Sequence, residues 1–158
     1  MSDDEDDILV REWMGKGPEG SWLAAEKLPS ERFEIVVQLR SNQVTATTAI
    51  SAALSRLGRL ISTEHDGVEV KVAGVVGGGF MNWNPTVLKV RIAPSEEGQC
   101  LATFTGTSKQ GRITQGTSEK AVRRVLKAHE LAPIRLPTPE DHVVTTRSGP
   151  RPPPARPR

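Results

Sequence analysis

The chain has 158 residues, a formal net charge of +2, a single cysteine and three histidines. This length suits one domain, and one cysteine excludes an intramolecular disulfide and a cysteine-rich structural zinc site. No apolar run approaches the roughly 18 residues that a membrane-spanning helix needs, so we expect no membrane insertion. Because the chain has one cysteine and three scattered histidines, we expect a cytoplasmic protein with no metal site. We also expect no cofactor.

The two ends of the chain differ in charge from its middle. Residues 1–30 carry 8 acidic and 3 basic residues, and their glycines and prolines disfavour a helix or strand of any length. We predict an acidic N-terminal extension there, partly docked or flexible, because Ile8-Leu9-Val10 is too apolar to be wholly solvated. Residues 133–158 hold 8 of the 12 prolines and 5 arginines, which predicts a flexible tail rich in proline and arginine.

A strand and then a helix are predicted after the N-terminal extension. Apolar residues alternate with polar ones along residues 33–39, which indicates a half-buried strand. After Ser41 or Asn42, either of which can serve as an N-cap, the apolar spacing becomes that of a helix ending at Leu57. Gly58 follows at the place of a C-cap glycine.

Antiparallel hairpins are predicted after this helix. Asp66-Gly67 has the composition of a two-residue hairpin turn, and Ala102 and Phe104 are expected to face the core. The consecutive glycines at 77–79 predict a bend or bulge, since glycine takes backbone conformations that other residues rarely adopt. The predicted strands cover residues 60–64, 68–72, 86–92 and 100–107.

A last helix is predicted from Thr117 or Ser118 to Leu131, with Val122 and Val125 on its apolar side. Residues 31–132 are therefore expected to form an α+β domain. It would have a single antiparallel sheet of four to five strands and two helices on one face, in the order β-α-β-β-β(-β)-α. This order resembles a shortened helix-grip fold or one half of a TATA-binding-protein-like fold.

The glycine-rich region also contains candidate ligand-binding residues. Trp83 stands between two asparagines, an arrangement in which the ring can stack on a ligand while the amides orient it. The alternative is that Trp83 closes the open end of the core. The candidate ligand-binding residues are Phe80, Asn82, Trp83, Asn84 and Phe104.

Basic residues concentrate on and before the last helix. The spacing of its four basic residues puts them on one side, where they can hold phosphate groups, although lysine and arginine also populate ordinary solvated helix faces. With 3 Phe, 3 Trp and no Tyr, the chain has few aromatic side chains on which nucleic-acid bases could stack. The candidate polyanion-binding residues are Lys109, Arg112, Lys120, Arg123, Arg124 and Lys127.

No set of residues predicts a catalytic site. Cys100 has no histidine close to it in the sequence, and the glycines at 77–79 lead into a proline and a strand rather than into the helix of a phosphate-binding loop. We predict a small non-enzymatic binding or interaction module whose partner is a protein or a small ligand. Two alternatives stay open: a helix-grip-like carrier of a small apolar ligand, and a binder of polyanions or nucleic acid through the last helix.

Overall fold

The computed structural model describes residues 5–14, 28–78, 84–109, 116–128 and 133–135. Within these residues the chain forms three helices and six strands. The helices are α1 (Glu5–Met14), α2 (Gln43–Leu57) and α3 (Thr117–Ala128). The strands are β1 (Ser30–Leu39), β2 (Gly58–Asp66), β3 (Glu69–Gly78), β4 (Asn84–Pro94), β5 (Cys100–Lys109) and β6 (Pro133–Arg135).

The strands make one antiparallel sheet in the order β2-β3-β4-β5-β1-β6. Strands β2 to β5 pair with one another in sequence, and β1 joins this meander by pairing along its whole length with β5. The predicted α+β class, the single antiparallel sheet and the element order are confirmed. The sequence did not predict β6, which pairs with Gln38 and Leu39 of β1 and lies at the start of the predicted tail.

Helix α2 forms where the change of apolar spacing predicts it. Asn42 has an extended backbone, and its side-chain oxygen accepts a hydrogen bond from the Thr45 amide at 2.8 Å. This bond satisfies one of the N–H groups that the first turn of a helix leaves without a backbone partner. The side of α2 that faces the sheet is buried through small and aliphatic residues, namely Ala46, Ile50, Ala53 and Leu54.

Gly58 is the C-cap of α2, as predicted, and its backbone N–H donates to the Leu54 carbonyl oxygen. Gly58 has a φ of −174°, which is extended backbone, and it is already the first residue of β2. A Cβ atom at this position would lie 2.0 Å from the carbonyl oxygen of Val75 on the neighbouring strand. The glycine is therefore needed because the helix leads directly into a strand whose backbone lies against β3.

Helices α2 and α3 cover the same face of the sheet, called here the inner face, as their apolar sides predict. Buried residues of both helices and of β1 to β5 form one main core, in which Phe104 and Leu88 have no exposed surface. Helix α3 approaches the sheet closely at Gly106, where a Cβ atom would lie 2.9 Å from Val122 Cγ2. The two helices and the inner face thus make a closed layer.

Helix α1 lies on the opposite face of the sheet, called here the outer face. Leu9 is fully buried and forms a small cluster with Ile8, Val75 and Val87, separate from the main core. The two valines stand on the outer face because side chains alternate along a strand. The expectation that residues 1–30 form no helix was wrong for this segment, since burial of Leu9 supplies the stability that its own composition lacks.

The first hairpin turns one residue later than predicted. Asp66 and Glu69 are the last pair of the β2–β3 ladder, so the turn residues are Gly67 and Val68. Gly67 has a φ of 63°, in the left-handed region that glycine tolerates. The turn therefore keeps its glycine, at the first of its two positions rather than the second.

The predicted bend at the glycine run is not found in the described part of it. Gly77 and Gly78 continue the regular pairing of β3 with β4, and Gly79 lies outside the described residues. The irregularity occurs instead on β2, where the pairing with β3 shifts between Leu60 and Ser62. The extra residue at this bulge is on the edge strand, where a bulge interrupts the fewest pairings.

Candidate functional site

Helix α1 lies across the outer face along one cross-strand row, called here the docking row. The strand registers place four residues side by side in this row: Arg59, Val75, Val87 and Thr107. Residues of α1 spaced by three or four positions meet the row in order. Glu12 pairs with Arg59, Leu9 packs on the two valines, and Glu5 accepts a hydrogen bond from Thr107 Oγ1 at 2.5 Å. The helix therefore matches the row in both charge and apolar character.

The described contacts of α1 combine apolar burial with ion pairs. Full burial of a leucine-sized side chain contributes about 1.5–3 kcal/mol, and Leu9 and Ile8 are the buried apolar side chains described in α1. The ion pairs of Glu12 with Arg59, and of Glu5 with Lys89 at 3.1 Å, are partly exposed, and such pairs contribute about 0–1 kcal/mol each. Burial of Leu9 and Ile8 is thus the larger described contribution to the docking of α1.

An open groove with a volume of ≈ 540 Å³ runs beside α1 on the outer face, and we call it the outer groove. Its floor consists of two further cross-strand rows on β3, β4 and β5. These rows are Ala73, Lys89 and Thr105, then Lys71, Arg91 and Thr103. Ile8 of α1 forms one side, and Glu64 and Glu34 stand at the two ends. The outer groove therefore runs in the same direction as α1.

The floor of the outer groove is basic. Its three basic side chains are Lys71, Lys89 and Arg91. Each has a carboxylate partner, at 2.5 Å, 3.1 Å and 3.7 Å respectively, in Asp66, Glu5 and Glu69. The Lys71 ammonium lowers the pKa of Asp66, chiefly by its hydrogen bond, and Asp66 raises the pKa of Lys71 in the same way. Exposed ion pairs of this kind are individually weak.

Exposed apolar side chains accompany these charges. Ile61, 38% exposed, lines the outer groove from the bulge of β2. Val36 and Leu101, 39% and 41% exposed, extend the apolar surface on β1 and β5. Small-molecule sites enclose their ligand, whereas protein interfaces combine apolar residues with a polar rim. The outer face, with apolar side chains among charged ones, has the composition of a protein interface.

The predicted ligand-binding residues that the structure describes lie far apart. Phe104 is fully buried in the main core, where it pairs with Val90 of β4. Asn84 begins the same strand, and from Asn84 to Val90 the distance is roughly 20 Å. The Asn84 Nδ2 atom is 3.5 Å from Thr117 Oγ1, and its buried Oδ1 atom has no partner among the described residues. The other three candidates, outside the described residues, are Phe80, Asn82 and Trp83.

The two arginines of α3 lean to opposite sides of the helix. Arg123 pairs with Glu119 at 2.8 Å, and its guanidinium lies 5.9 Å from the centre of the Phe33 ring on β1. Arg124 donates a hydrogen bond to the Gly77 carbonyl oxygen of β3 at 2.9 Å. These contacts direct the two guanidinium groups towards different strands of the sheet, β1 and β3.

The remaining described candidates for polyanion binding lie on β5 and α3. Lys109 lies on β5 and is only 3% exposed, whereas Lys120 and Lys127 are exposed on α3. Arg112 lies outside the described residues. The structure therefore separates Lys109 from the four candidates on α3, all of which are exposed.

A polar cluster on the inner face fixes the start of α3. Ser108 Oγ and Ser118 Oγ are 2.7 Å apart, and Ser118 Oγ donates to the Glu31 carbonyl oxygen at 3.0 Å. Thr86 pairs with Ser108 in the β4–β5 ladder, is fully buried, and has an Oγ1 atom with no partner among the described residues. These contacts tie the first turn of α3 to β1 and β5.

The basic residues of the groove floor were missed in the sequence although a signal for them exists. Lys71, Lys89 and Arg91 each stand between two apolar residues of a strand, so alternation directs all of them away from the core. The register that puts β3 beside β4 then brings them together. Strand alternation combined with hairpin register is therefore the signal that predicts this patch.

The single cysteine lies in the main core. Cys100 is fully buried at the start of β5, and burial raises the pKa of its thiol. A raised pKa keeps a thiol protonated and weakly nucleophilic. Within the described ranges, no three residues of the types His, Cys, Asp and Glu are grouped closely enough to hold a metal ion. In the same part of the chain, no helix has the length and apolar character needed to cross a membrane.

Comparison with known proteins gives little similarity. No protein-family model matches the chain, and no curated protein sequence matches it significantly. Among solved structures, the chain is similar to a conserved protein from Geobacillus kaustophilus, with a TM-score of 0.36 and 12% sequence identity over 62% of this chain and 91% of that chain. A similarity of this degree identifies neither a family nor a function.

Proposed function

We propose that this protein is a small non-enzymatic interaction module that binds a helical segment of a partner protein in the outer groove. The observation that carries the proposal is that the same face of the sheet already holds a helix, α1, in the row next to the groove. The single buried Cys100 suits a reducing compartment, which supports a cytoplasmic location.

The dimensions of the outer groove suit an α-helix. From β2 to β1 the groove crosses four strand spacings, roughly 19 Å, which corresponds to about 13 helical residues. The midline between its two floor rows lies three residues from the docking row, roughly 10 Å along the strands. Because packed helices lie about 8–10 Å apart, a second helix has room beside α1, in contact with Ile8.

The charges of the outer groove define the partner. Its basic floor attracts carboxylates, while Ala73 and Ile61, which line the groove, offer apolar surface to an aliphatic side chain. Helix α1 already shows such a pattern, with Glu5 and Glu12 on either side of Leu9. We therefore expect the partner to present two carboxylates that flank an aliphatic residue at helical spacing.

A display library of helical peptides, selected against the immobilised full-length chain, tests this proposal. Selected peptides are expected to share the acidic–aliphatic–acidic pattern and to bind the chain in fluorescence anisotropy. Arg91→Glu is expected to weaken their binding at least about tenfold, because an attractive charge becomes a repulsive one. Lys127→Glu makes the same charge change on the exposed side of α3 and is expected to leave binding unchanged.

A second groove variant tests whether the shape of the groove, and not only its charge, determines peptide binding. Ala73→Trp fills the floor with a bulky side chain that suits an exposed strand position, so it is expected to block the same peptides without a charge change. Peptides that bind Arg91→Glu and Ala73→Trp as tightly as the unmodified chain would contradict the proposal. Peptides that respond only to Lys127→Glu would place the site on α3 and favour the polyanion alternative.

A further inference from the structure

We infer that the docking row is itself a helix-binding site, and that α1 is its intramolecular ligand, which an acidic amphipathic helix of a partner protein replaces. This inference goes beyond the proposed function because it concerns the covered row and not the outer groove. It predicts that the sheet face exists in two states, one with α1 docked and one with α1 released.

Helix α1 can leave without opening the main core. Leu9 and Ile8 pack with Val75 and Val87 in a cluster of their own, and among the described residues the main core contains none from α1. The buried residues of the main core come from the sheet, α2 and α3, which stay in contact when α1 is released. Release of α1 therefore uncovers one row of the outer face and leaves the inner face closed.

The uncovered row has the chemistry to recognise another helix. Val75 and Val87 are 4% and 1% exposed beneath α1, and without it they form an apolar strip in the middle of a sheet face. Arg59 and Lys89, which pair with the two glutamates of α1, flank this strip. Apolar surface and fixed positive charges together favour a helix that carries an aliphatic residue between two carboxylates.

An intramolecular ligand controls access to the row. A tethered helix has an effective concentration on the order of mM at its own site. An outside helix then binds with an affinity reduced by the fraction of molecules in which the row is uncovered. Helix α1 therefore keeps the two valines covered until a partner helix that fits the row more tightly takes its place.

A fluorescein-labelled peptide of residues 2–14 tests this inference by fluorescence anisotropy. It is titrated into the full-length chain and into a full-length Leu9→Asp variant, in which a charged side chain dislodges α1 from the row. The variant is expected to bind the peptide at least about tenfold more tightly, because its own competitor is gone. Circular dichroism checks its fold. Equal affinities, no binding to the variant, or a variant that fails to fold would each overturn the inference.

A charge exchange identifies the row as the place where the peptide binds. In the Leu9→Asp chain, Arg59→Glu is expected to weaken binding about tenfold, and a peptide carrying Glu12→Arg is expected to restore it, since the pair is then reversed. Lys127→Glu in the same chain makes the same change of charge on the exposed side of α3 and is the matched control, expected to have no effect. Arg91→Glu reports on the outer groove and is expected to weaken binding less than Arg59→Glu does. A peptide that responds to Arg91→Glu and not to Arg59→Glu occupies the outer groove, which overturns this inference and leaves the proposed function standing.

Sedimentation of the unmodified chain tests the source of the helix. A monomer is expected, because the inference assigns the incoming helix to a partner protein. A dimer in which two copies exchange their α1 helices would show that a second copy supplies the helix, and would overturn that assignment.

Discussion

At the scale of single residues, Gly58 shows how a missing side chain fixes the join between a helix and a strand. A Cβ atom there meets the Val75 carbonyl oxygen, which belongs to a paired backbone and cannot rotate away. Gly58→Ala is therefore expected to lower the free energy of unfolding by about 3 kcal/mol, measured by chemical denaturation. Gly98→Ala is the control.

Gly98 isolates backbone strain from close contact. It has a φ of +73° and no atom near the place of a Cβ, so Gly98→Ala is expected to cost about 1 kcal/mol through backbone strain alone. A greater loss of stability in Gly98→Ala than in Gly58→Ala would contradict the close approach of β2 to β3.

At the scale of elements, α1 differs from the other helices because it packs in a small cluster of its own, outside the main core. Local undocking opens α1 without unfolding the sheet, so its amides are expected to exchange with deuterium faster than those of β4 and β5. Leu9→Ala removes the buried anchor, a change that costs about 2–5 kcal/mol in a closed core, and is expected to abolish protection in α1 alone. Equal protection of α1 and β4, lost together in the variant, would make α1 part of the core.

The sequence predicts those helices and strands whose apolar side packs against a continuous apolar layer. Helix α2 and the strands follow from apolar spacing, because any apolar layer satisfies an apolar side. Helix α1 does not follow from it, because its stability comes from Val75 and Val87, which are distant in the sequence. The same holds for the bulge at Ile61, which depends on how two strands are paired.

At the scale of the whole molecule, the two faces of the sheet have different characters. The inner face is closed by α2 and α3. The fold class is predictable because the residues buried on this face recur in the sequence at the spacing of a helix or a strand. The outer face is covered by α1 along one row and is open along two others. Its basic floor was not predicted, because Lys71 lies beside Arg91 only in the register of this sheet. The two described ligand-binding candidates, Asn84 and Phe104, come from neighbouring strands, and the length of β4 holds them apart.

Backbone amide chemical shifts of the nitrogen-15-labelled full-length chain, recorded as a selected helical peptide is added, test most directly whether the outer groove is the binding site. The largest changes are expected at residues 71–73, 89–91 and 103–105, with a smaller change at Ile8, while α2 and α3 keep their shifts. If the largest chemical-shift changes occurred on α3, or in the main core around Phe104, they would contradict a helix-binding groove on the outer face.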